Sequence, residues 1–511
     1  MRLQAGLSGR DGGAVLVPGE TCWRSARADR MAVIIDAAPY FAHLKAAILQ
    51  ARHSILLVGW DFDTRIELDR GGRPDPAVPN RIGSLLNYVV RHNPRLRVYV
   101  LRWDLAFLKM PFRGTTPLFL LEWLGSRRLH FHLDRHHPPE ACHHQKIAVI
   151  DDAVAFCGGI DVTVDRWDTP AHRGNDPRRV HPNGKRYGPW HDATTAVDGA
   201  AARALGDLAR ARWQAATGWT PAVPPPGRDC WPEGLDAAVR GVEVAIARTE
   251  PAYDGQPEVR EIEALYLAAI ASARRIIYLE SQYFSAHRIG EALARRLAEA
   301  DGPEVVIVNP KRAEGWLEEE VMGTARALLL GKLRDADRHG RLRFYTPVTE
   351  GGADIYVHAK VLVIDEALLR IGSSNINNRS MGLDTECDLA IEVRPEDPDA
   401  PNLRAAILKV RDSLVAEHLD ISRAALERIL RAEDGSLVRA LDGLVRSSGK
   451  TLVPFEPPAL SETERALAET HALDPHRPEG MATTFVRALG ILSPVRAASL
   501  APAPAPGCGP R

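Results

Sequence analysis

Apolar and polar positions follow the same pattern twice along the chain. Residues 36–63 and 257–284 each combine a helical apolar period with a short apolar run, ILLVGW in the first and IIYLES in the second. Runs of this length and composition are typical of buried strands. Three further matched pairs of segments follow in the same order: 95–104 with 303–310, 128–134 with 341–347, and 143–161 with 357–375. Four matched pairs in one order indicate that an α/β unit has been duplicated.

The alternation of strands and helices predicts the fold class. We expect two duplicated α/β domains, each with a central mixed sheet flanked by helices, packed face to face with one site between them. A helical C-terminal extension is expected to follow. The predicted divisions are a lead segment at 1–35, a first half at 36–220, a second half at 221–420, a helical extension at 421–490 and a disordered tail at 491–511.

Composition narrows the classes of protein that the chain can belong to. The 511 residues are 45% hydrophobic with a net charge of -1, so a sizeable core is available and a nucleic-acid partner is disfavoured. No run of 18 apolar residues occurs, and the first 20 residues lack the apolar stretch of a signal peptide. We therefore expect a cytoplasmic protein whose membrane contact is peripheral, with export without a standard signal left open. The oligomeric state is left open as well, with a monomer favoured.

Two copies of one short motif carry the candidate chemistry. The first copy is His144, Lys146 and Asp151, with the strand-like residues IAVI between the lysine and the aspartate. Each of these residues has a counterpart 214 positions later, namely His358, Lys360 and Asp365. Side chains two apart on a strand face the same way, so the histidine and lysine of each copy can meet one phosphate. Each aspartate is expected at the strand end, buried and holding neighbouring groups.

Small residues follow both motifs in the same register. GGID at 158–161 contains Gly159, and GSSN at 372–375 contains Ser373 and Asn375. Small side chains allow a ligand to approach the backbone closely. An isolated His-x-Lys is more often a surface pair, but two copies inside a wider duplication are hard to obtain by chance.

Phosphodiester cleavage has a use for each member of these motifs. One histidine can attack phosphorus while the other protonates the leaving oxygen, since imidazole titrates near neutral pH. A phosphohistidine intermediate divides one difficult displacement into two easier ones. The two lysines can stabilise the charge of the transferring group, so the chemistry requires no metal or other cofactor.

Four flanking segments carry a family resemblance: RWDT at 166–169, WHD at 190–192, YLESQYF at 278–284 and SNINNRSM at 374–381. With the paired motifs, they resemble the phospholipase D superfamily, and within it the eukaryotic-type phospholipases D. The chain departs from those enzymes at Ser281, where Asn is usual, and at Asn378, where Asp is usual. The roughly 35 residues before the first half leave no room for a C2, PX or PH domain, so calcium dependence of the plant kind is not implied.

The resemblance implies roles for individual residues. His144 would be the nucleophile and His358 the general acid and later base, although the order of these two roles is left open. Asp151 and Asp365 would be supports, and Asp192 would hold His144. Glu386 would hold His358, with Asp388 as its rival. The residues expected to bind or orient the substrate are Lys146, Lys360, Asn375, Ser373, Gly159, Asp192, Glu386 and Gln282.

The resemblance also implies a substrate class. The leading hypothesis is a phospholipase D that hydrolyses a glycerophospholipid at a membrane surface to phosphatidate and free headgroup, or transfers the phosphatidyl group to an alcohol. A cardiolipin synthase-like phosphatidyltransferase is the alternative. A nuclease is disfavoured by the neutral composition, and a non-catalytic lipid-binding module by the completeness of both motifs. Aromatic side chains near the motifs could hold choline or pack in the core, and the basic loop 173–186 could meet anionic lipid or be solvated.

Overall fold

The computed structural model describes residues 13–72, 76–104, 123, 126–227, 229–313, 322–394, 396–457 and 474. Within these residues, one sheet of 16 strands runs through both halves of the chain. The sheet is mixed and helices flank it, which confirms the predicted α/β class. The predicted tail at 491–511 lies outside the described residues.

The elements of the first half alternate between strands and helices. Its strands are β1 (Arg24–Ile35), β2 (Ser54–Gly59), β3 (Arg97–Trp103), β4 (Leu129–Asp134), β5 (Ile147–Ile150), β6 (Val154–Gly158), β7 (Trp190–His191) and β8 (Ala193–Asp198). Its helices are α1 (Ala37–Gln50), α2 (Ile82–His92) and α3 (Gly199–Thr217). Helix α1 buries Tyr40, Phe41 and Leu44 on one face, the amphipathic spacing that the sequence shows.

The second half repeats this order. Its strands are β9 (Val239–Glu250), β10 (Val259–Arg260), β11 (Ile276–Glu280), β12 (Glu304–Val308), β13 (Leu342–Val348), β14 (Tyr356–Val357), β15 (Val361–Ile364), β16 (Leu368–Gly372) and β17 (Glu386–Glu392). Its helices are α4 (Glu261–Ser272), α5 (His287–Ala298), α6 (Thr324–Ala336), α7 (Asn378–Gly382) and α8 (Ala400–Leu419). The extension follows with α9 (Arg423–Ala432), α10 (Leu437–Leu444) and β18 (Thr451–Pro454).

The order of strands in the sheet shows the duplication directly. Outward from the centre, the first half runs β1-β8-β6-β5-β2-β3-β4 and the second runs β9-β17-β16-β15-β11-β12-β13, with β18 at its edge. Strands β1 and β9 pair antiparallel where the halves meet, with Arg24 opposite Ile246 and Met31 opposite Val239. The halves are therefore related by an approximate two-fold rotation through this central pair.

The lead segment predicted at 1–35 contributes a central strand. Strand β1 lies inside that segment and is the innermost strand of the first half. At the other end, the extension is helical through α9 and α10, and β18 then adds antiparallel to β13. Strands β1 and β18 therefore both belong to the sheet, although both lie outside the residue ranges predicted for the two halves.

The main hydrophobic core lies between the halves. It combines side chains of the first half, such as Val149 and Trp213, with side chains of the second, such as Ile371 and Leu414. Strands β6 and β17 approach each other across this core, with 3.6 Å between the sulfur atoms of Cys157 and Cys387. Two smaller cores lie outside, one under α1 and α2 and the other under α4, α5 and α6. The halves thus contact face to face as well as through β1 and β9.

Candidate active site

Each motif histidine lies where its half pairs with the other half. The backbone N–H of His144 donates to the carbonyl of Thr385 at 2.8 Å, and that of His358 donates to the carbonyl of His191 at 2.7 Å. Strands β5 and β15 follow the motifs, and all their residues are buried. The two motifs are therefore carried by equivalent strands and anchored at the junction.

Each histidine ring is held by a carboxylate from the opposite half. His144 Nδ1 lies 3.0 Å from both carboxylate oxygens of Glu386. His358 Nδ1 lies 2.6 Å from Asp192 Oδ2. In each pair, the carboxylate places the ring proton on Nδ1 and leaves Nε2 to face the substrate.

The expected assignment of these carboxylates to the histidines was wrong. Asp192 and Glu386 are the two acids that hold the histidines, but each holds the histidine of the other half. The cause is the pairing at the junction, where β7, which precedes Asp192, runs beside β14, which precedes His358. The rival Asp388 instead receives the Arg370 guanidinium and the backbone N–H groups of Ser373 and Ser374.

The two lysines have different neighbours. Lys146 Nζ lies 3.2 Å from Asp161 Oδ2. Lys360 Nζ lies 3.4 Å from Gln282 Oε1, which also accepts from Asn375 Nδ2 at 3.3 Å. Each lysine also donates to the backbone carbonyl of the histidine two residues before it. A phosphate at this site would thus meet an ion-paired lysine on one side and a lysine among neutral amides on the other.

The charges of the two motifs act on one another. Burial lowers the pKa of His144 well below its ordinary value, and Lys146 and Lys360 lower it further. Burial also lowers the pKa of His358 well below its ordinary value, and the positive charges of Lys360, Arg166 and Lys146 lower it further. Because each histidine is also held by an acidic residue of the other half, the two motifs form one site. The neutral form of both rings is favoured until an anion enters and offsets the lysines.

Burial also shifts the groups that support the histidines. It raises the pKa of Glu386 to about 8 and that of Asp192 to about 6, with Lys146 and Lys360 respectively acting in the opposite direction. Burial lowers the pKa of Lys360 to about 7. The protonation states of these three groups therefore depend on the charges around them, and binding of a phosphodiester anion can change them.

The motif aspartates lie at the other ends of β5 and β15. The Asp151 carboxylate accepts hydrogen bonds from the backbone N–H groups of Arg52, His53 and Ser54 at 2.6–2.7 Å. Asp365 does the same for residues 274–276 at 2.7–2.9 Å. Both close the turn between a helix and the next strand, so the structure does not bring them to the histidines.

Replacing Asp151 by Asn should therefore affect folding rather than chemistry. We expect the free energy of unfolding to fall by about 1–3 kcal/mol, because three backbone N–H groups lose a charged acceptor. Denaturant unfolding would measure this, and the folded fraction should keep its turnover rate. A normal unfolding curve with lost turnover would contradict this role.

Gly159 and Ser373 occupy equivalent positions but support the carboxylates differently. A Cβ at residue 159 would lie 2.1 Å from Asp192 Oδ1, so glycine leaves the space that Asp192 occupies. Ser373 instead donates its hydroxyl to Glu386, which also accepts from the Ser380 hydroxyl. The predicted small residues thus position the carboxylates.

The family-like segments meet in a second group of buried polar residues, here called the buried ion cluster. Its buried members are Asp36, Asp168, His172, His191, Glu280 and His418, and Glu417 joins them with a side chain that is 7% exposed. Burial alone would lower the pKa of His172, but Asp36, Asp168 and Glu417 raise it to about 9. Four of these residues each offer one ring nitrogen or carboxylate oxygen that lies close enough to the others to ligate one cation: Asp36, His172, His191 and Glu417. The same atoms also complete hydrogen bonds with one another when both histidines are protonated.

Some of the aromatic and basic residues near the motifs are engaged within the protein. Trp190 stacks on Tyr356 with 4.5 Å between ring centroids, and Arg166 lies 4.3 Å from the Trp190 centroid. In the loop 173–186, Arg179 is buried against Asp168 and Arg178 pairs with Asp176. Packing therefore accounts for these aromatic rings and for two of the loop cations.

Several residues at the site were not among the predicted site residues. Asp161 contacts Lys146, and Ser380 contacts Glu386. Asp161 could have been found, since it lies 214 positions before Asn375. Asp36, which binds the backbone N–H of Asp192 at 3.1 Å, has no comparable signal, because it belongs to no recognisable motif.

Known proteins resemble this chain in sequence and in fold. The family model described as "Cardiolipin synthase, PLD-like domain" matches residues 266–399, and the one described as "Phospholipase D" matches residues 346–460. Phospholipase D A of Dictyostelium discoideum is 25% identical over 71% of this chain and 32% of its own length. Phospholipase D1 of Schizosaccharomyces pombe is 25% identical over 77% of this chain and 36% of its own length. The chain thus spans about a third of the length of these two relatives.

A solved structure shares the fold. The crystal structure of phosphatidylserine synthase from Haemophilus influenzae Rd KW20 matches with a TM-score of 0.51 and 12% sequence identity. The match covers 81% of this chain and 96% of that one.

The class of protein follows from fold, site and sequence together: a duplicated α/β chain in which two His-x-Lys motifs share one site. The chain is similar to members of the phospholipase D superfamily.

Proposed function

We propose that the chain is a phosphodiesterase of the phospholipase D type, acting on glycerophospholipids through a phosphohistidine. One observation carries the proposal: two histidines, each with Nδ1 held by a carboxylate of the other half, are flanked by two lysines. This arrangement provides a nucleophile, a proton donor and cations for one phosphate. The relatives named phospholipase D favour a lipid as the source of that phosphate.

The reaction runs in two displacements. Nε2 of His144 attacks phosphorus and forms an N–P bond, while the bond from phosphorus to the headgroup oxygen breaks and that oxygen takes the proton from Nε2 of His358. A water molecule then attacks phosphorus, gives its proton to His358, and the N–P bond breaks to release phosphatidate. The order of roles is supported by accessibility, since the His144 side chain is 14% exposed and that of His358 is 5% exposed.

Contact with the lipid surface is proposed to be peripheral, with the protein acting as a monomer. Among the helices of the described residues, none combines the length and the apolarity that a bilayer span requires. The cytoplasmic location inferred from the sequence stays a prediction.

Substrate class can be tested in one assay. Purified protein would be incubated with phosphatidylcholine, phosphatidylethanolamine, phosphatidylglycerol and single-stranded DNA, each with EDTA and with or without ethanol. We expect phosphatidate without ethanol and phosphatidylethanol with it, because the alcohol can replace water at the phosphohistidine. The His144→Ala variant controls for contaminating activity. Cleavage of DNA with intact lipids would contradict the proposal.

Phosphatidyl transfer is the second candidate, because one matching family model is described as a cardiolipin synthase domain. Phosphatidylglycerol incubated alone distinguishes the two. Cardiolipin and glycerol as the main products would favour the transferase, whereas phosphatidate as the main product favours hydrolysis.

A further inference from the structure

The buried ion cluster lies directly behind Asp192, and the proposed chemistry does not use it. The backbone N–H of Asp192 donates to Asp36 Oδ1 at 3.1 Å, and the backbone N–H of Asp36 donates to the Asp192 carbonyl at 2.8 Å. The next residue toward the N-terminus is His191, whose carbonyl accepts from the backbone N–H of His358 at 2.7 Å. The cluster therefore holds the backbone of both members of the His358–Asp192 pair.

The ring of His191 is fixed on both sides. Its Nε2 lies 2.9 Å from Glu280 Oε2, and its Nδ1 lies 3.0 Å from Glu417 Oε1. Glu280 ends β11 and Glu417 lies on α8, so both carboxylates come from the half that also carries His358. A shift of His191 would break these contacts, and such losses are costly where His191 and Glu280 are fully buried.

Further contacts fix the two glutamates. Glu417 Oε1 also lies 3.0 Å from His172 Nε2, and the other ring nitrogen of His172 lies 3.0 Å from Asp168. Glu280 accepts from the Tyr278 hydroxyl and lies 3.0 Å from His418 Nε2. The network therefore resists movement of the peptide that carries Asp192.

The equivalent position beside the other histidine has a different construction. Register places Thr385 where the first half has His191, since each directly precedes the carboxylate that holds a histidine. Register also places Val58 where the second half has Glu280, because Val58 pairs with Ile147 as Glu280 pairs with Val361. Hydroxyl groups of serine support Glu386 instead. The cluster thus serves His358 and not His144.

We propose that the buried ion cluster positions His358 as the proton donor to the departing headgroup, with Glu417 and Glu280 as its positioning residues. The inference rests on the proposed function, in which the headgroup oxygen takes its proton from His358 as the oxygen–phosphorus bond breaks. Loss of the cluster should slow the step that needs this proton and spare a displacement that does not.

Two substrates that differ only in the leaving group separate these effects. Phosphatidylcholine releases choline, whose oxygen must be protonated, whereas phosphatidyl-p-nitrophenol releases a stable anion. The burst of leaving group in the first turnover reports the first displacement alone. In the Glu417→Gln variant we expect the choline burst to slow by about tenfold or more, and the p-nitrophenol burst by less than about threefold.

The control variant is Asp152→Asn, which replaces a different buried carboxylate, one that lies in the first half. Asp152 pairs with Arg210 at 2.8 Å and has no contact with the cluster. Both bursts should stay near the wild-type rate in this variant. Equal slowing of both bursts by Glu417→Gln would reduce the cluster to a structural role and overturn the proposal. Glu280→Gln gives a second test if Glu417→Gln does not fold.

A spectroscopic measurement separates failure of this inference from failure of the proposed function. In the protein without substrate, the Nδ1 protons of His144 and His358 should give low-field NMR signals, because each is bound to a carboxylate. Glu417→Gln should shift or remove the His358 signal and leave that of His144, whatever substrate the protein cleaves. Equal changes in both signals, or a stoichiometric divalent metal that the variant loses, would overturn positioning by ion pairs.

Discussion

His144→Ala is expected to lower the rate of headgroup release by about a thousandfold or more, because His144 is the group proposed to form the phosphoenzyme. The variant should also fail to become labelled by a phospholipid with a radioactive phosphate. His358→Ala should slow phosphatidylcholine cleavage by about a hundredfold or more through loss of the proton donor. With phosphatidyl-p-nitrophenol, however, this variant should accumulate labelled enzyme, since the intermediate forms but water is not activated.

The matched control is His92→Ala, an exposed histidine in the last turn of α2. Its turnover and labelling should equal those of the unchanged protein. Near-full activity in either motif variant would refute a single shared site. Labelling of His144→Ala but not of His358→Ala would reverse the order of roles while keeping the shared site.

The second large effect concerns the exchanged carboxylates. Glu386→Gln should slow turnover by about a hundredfold or more, because an orienting carboxylate fixes both the tautomer and the direction of its histidine. The Glu386→Gln substitution should act on His144, so that labelling of the enzyme slows even with phosphatidyl-p-nitrophenol. Asp192→Asn should act on His358, so that labelling with that substrate persists and hydrolysis of the intermediate slows.

Each variant is the control for the other, because both replace one buried carboxyl group by an amide at the same site. NMR titration of the histidines provides a direct check. Glu386→Gln should change the titration of His144 more than that of His358, and Asp192→Asn should do the reverse. The opposite pattern would mean that each carboxylate serves the histidine of its own half.

The sequence predicted the structure well wherever apolar residues recur in a regular pattern or a segment recurs at a constant spacing. Strands β5 and β15 are apolar on both faces, and the structure buries every residue of both. The constant spacing of 214 residues located equivalent positions in the two halves, including Asn375 and its counterpart Asp161. Asp192 and Glu386 were identified because the family resemblance implies an acidic residue downstream of each motif histidine.

Features that depend on pairing between the halves could not be predicted in the same way. The exchange of carboxylates results from β7 and β14, which are two residues long and too short for a hydropathy period. Strand β1 was missed because arginine and aspartate interrupt its apolar residues, although Ala28, Met31 and Ala32 are buried at the junction. Hydropathy also gives no signal for the buried ion cluster, because a titratable residue such as Glu280 at the end of the apolar strand β11 does not indicate which partners it meets.

The antiparallel pairing of β1 with β9 has an evolutionary consequence. Two identical copies of one half could associate through this strand and build the same site, since a two-fold axis brings each carboxylate to the other copy's histidine. Such an ancestral dimer would have had two histidines in identical surroundings. Joining the copies in one chain allowed them to diverge, as Gly159 and Ser373, Asp192 and Glu386, and His191 and Thr385 have done here. A single chain can thereby assign attack and protonation, in the proposed mechanism, to two different histidines, whereas the two histidines of a symmetric assembly are equivalent.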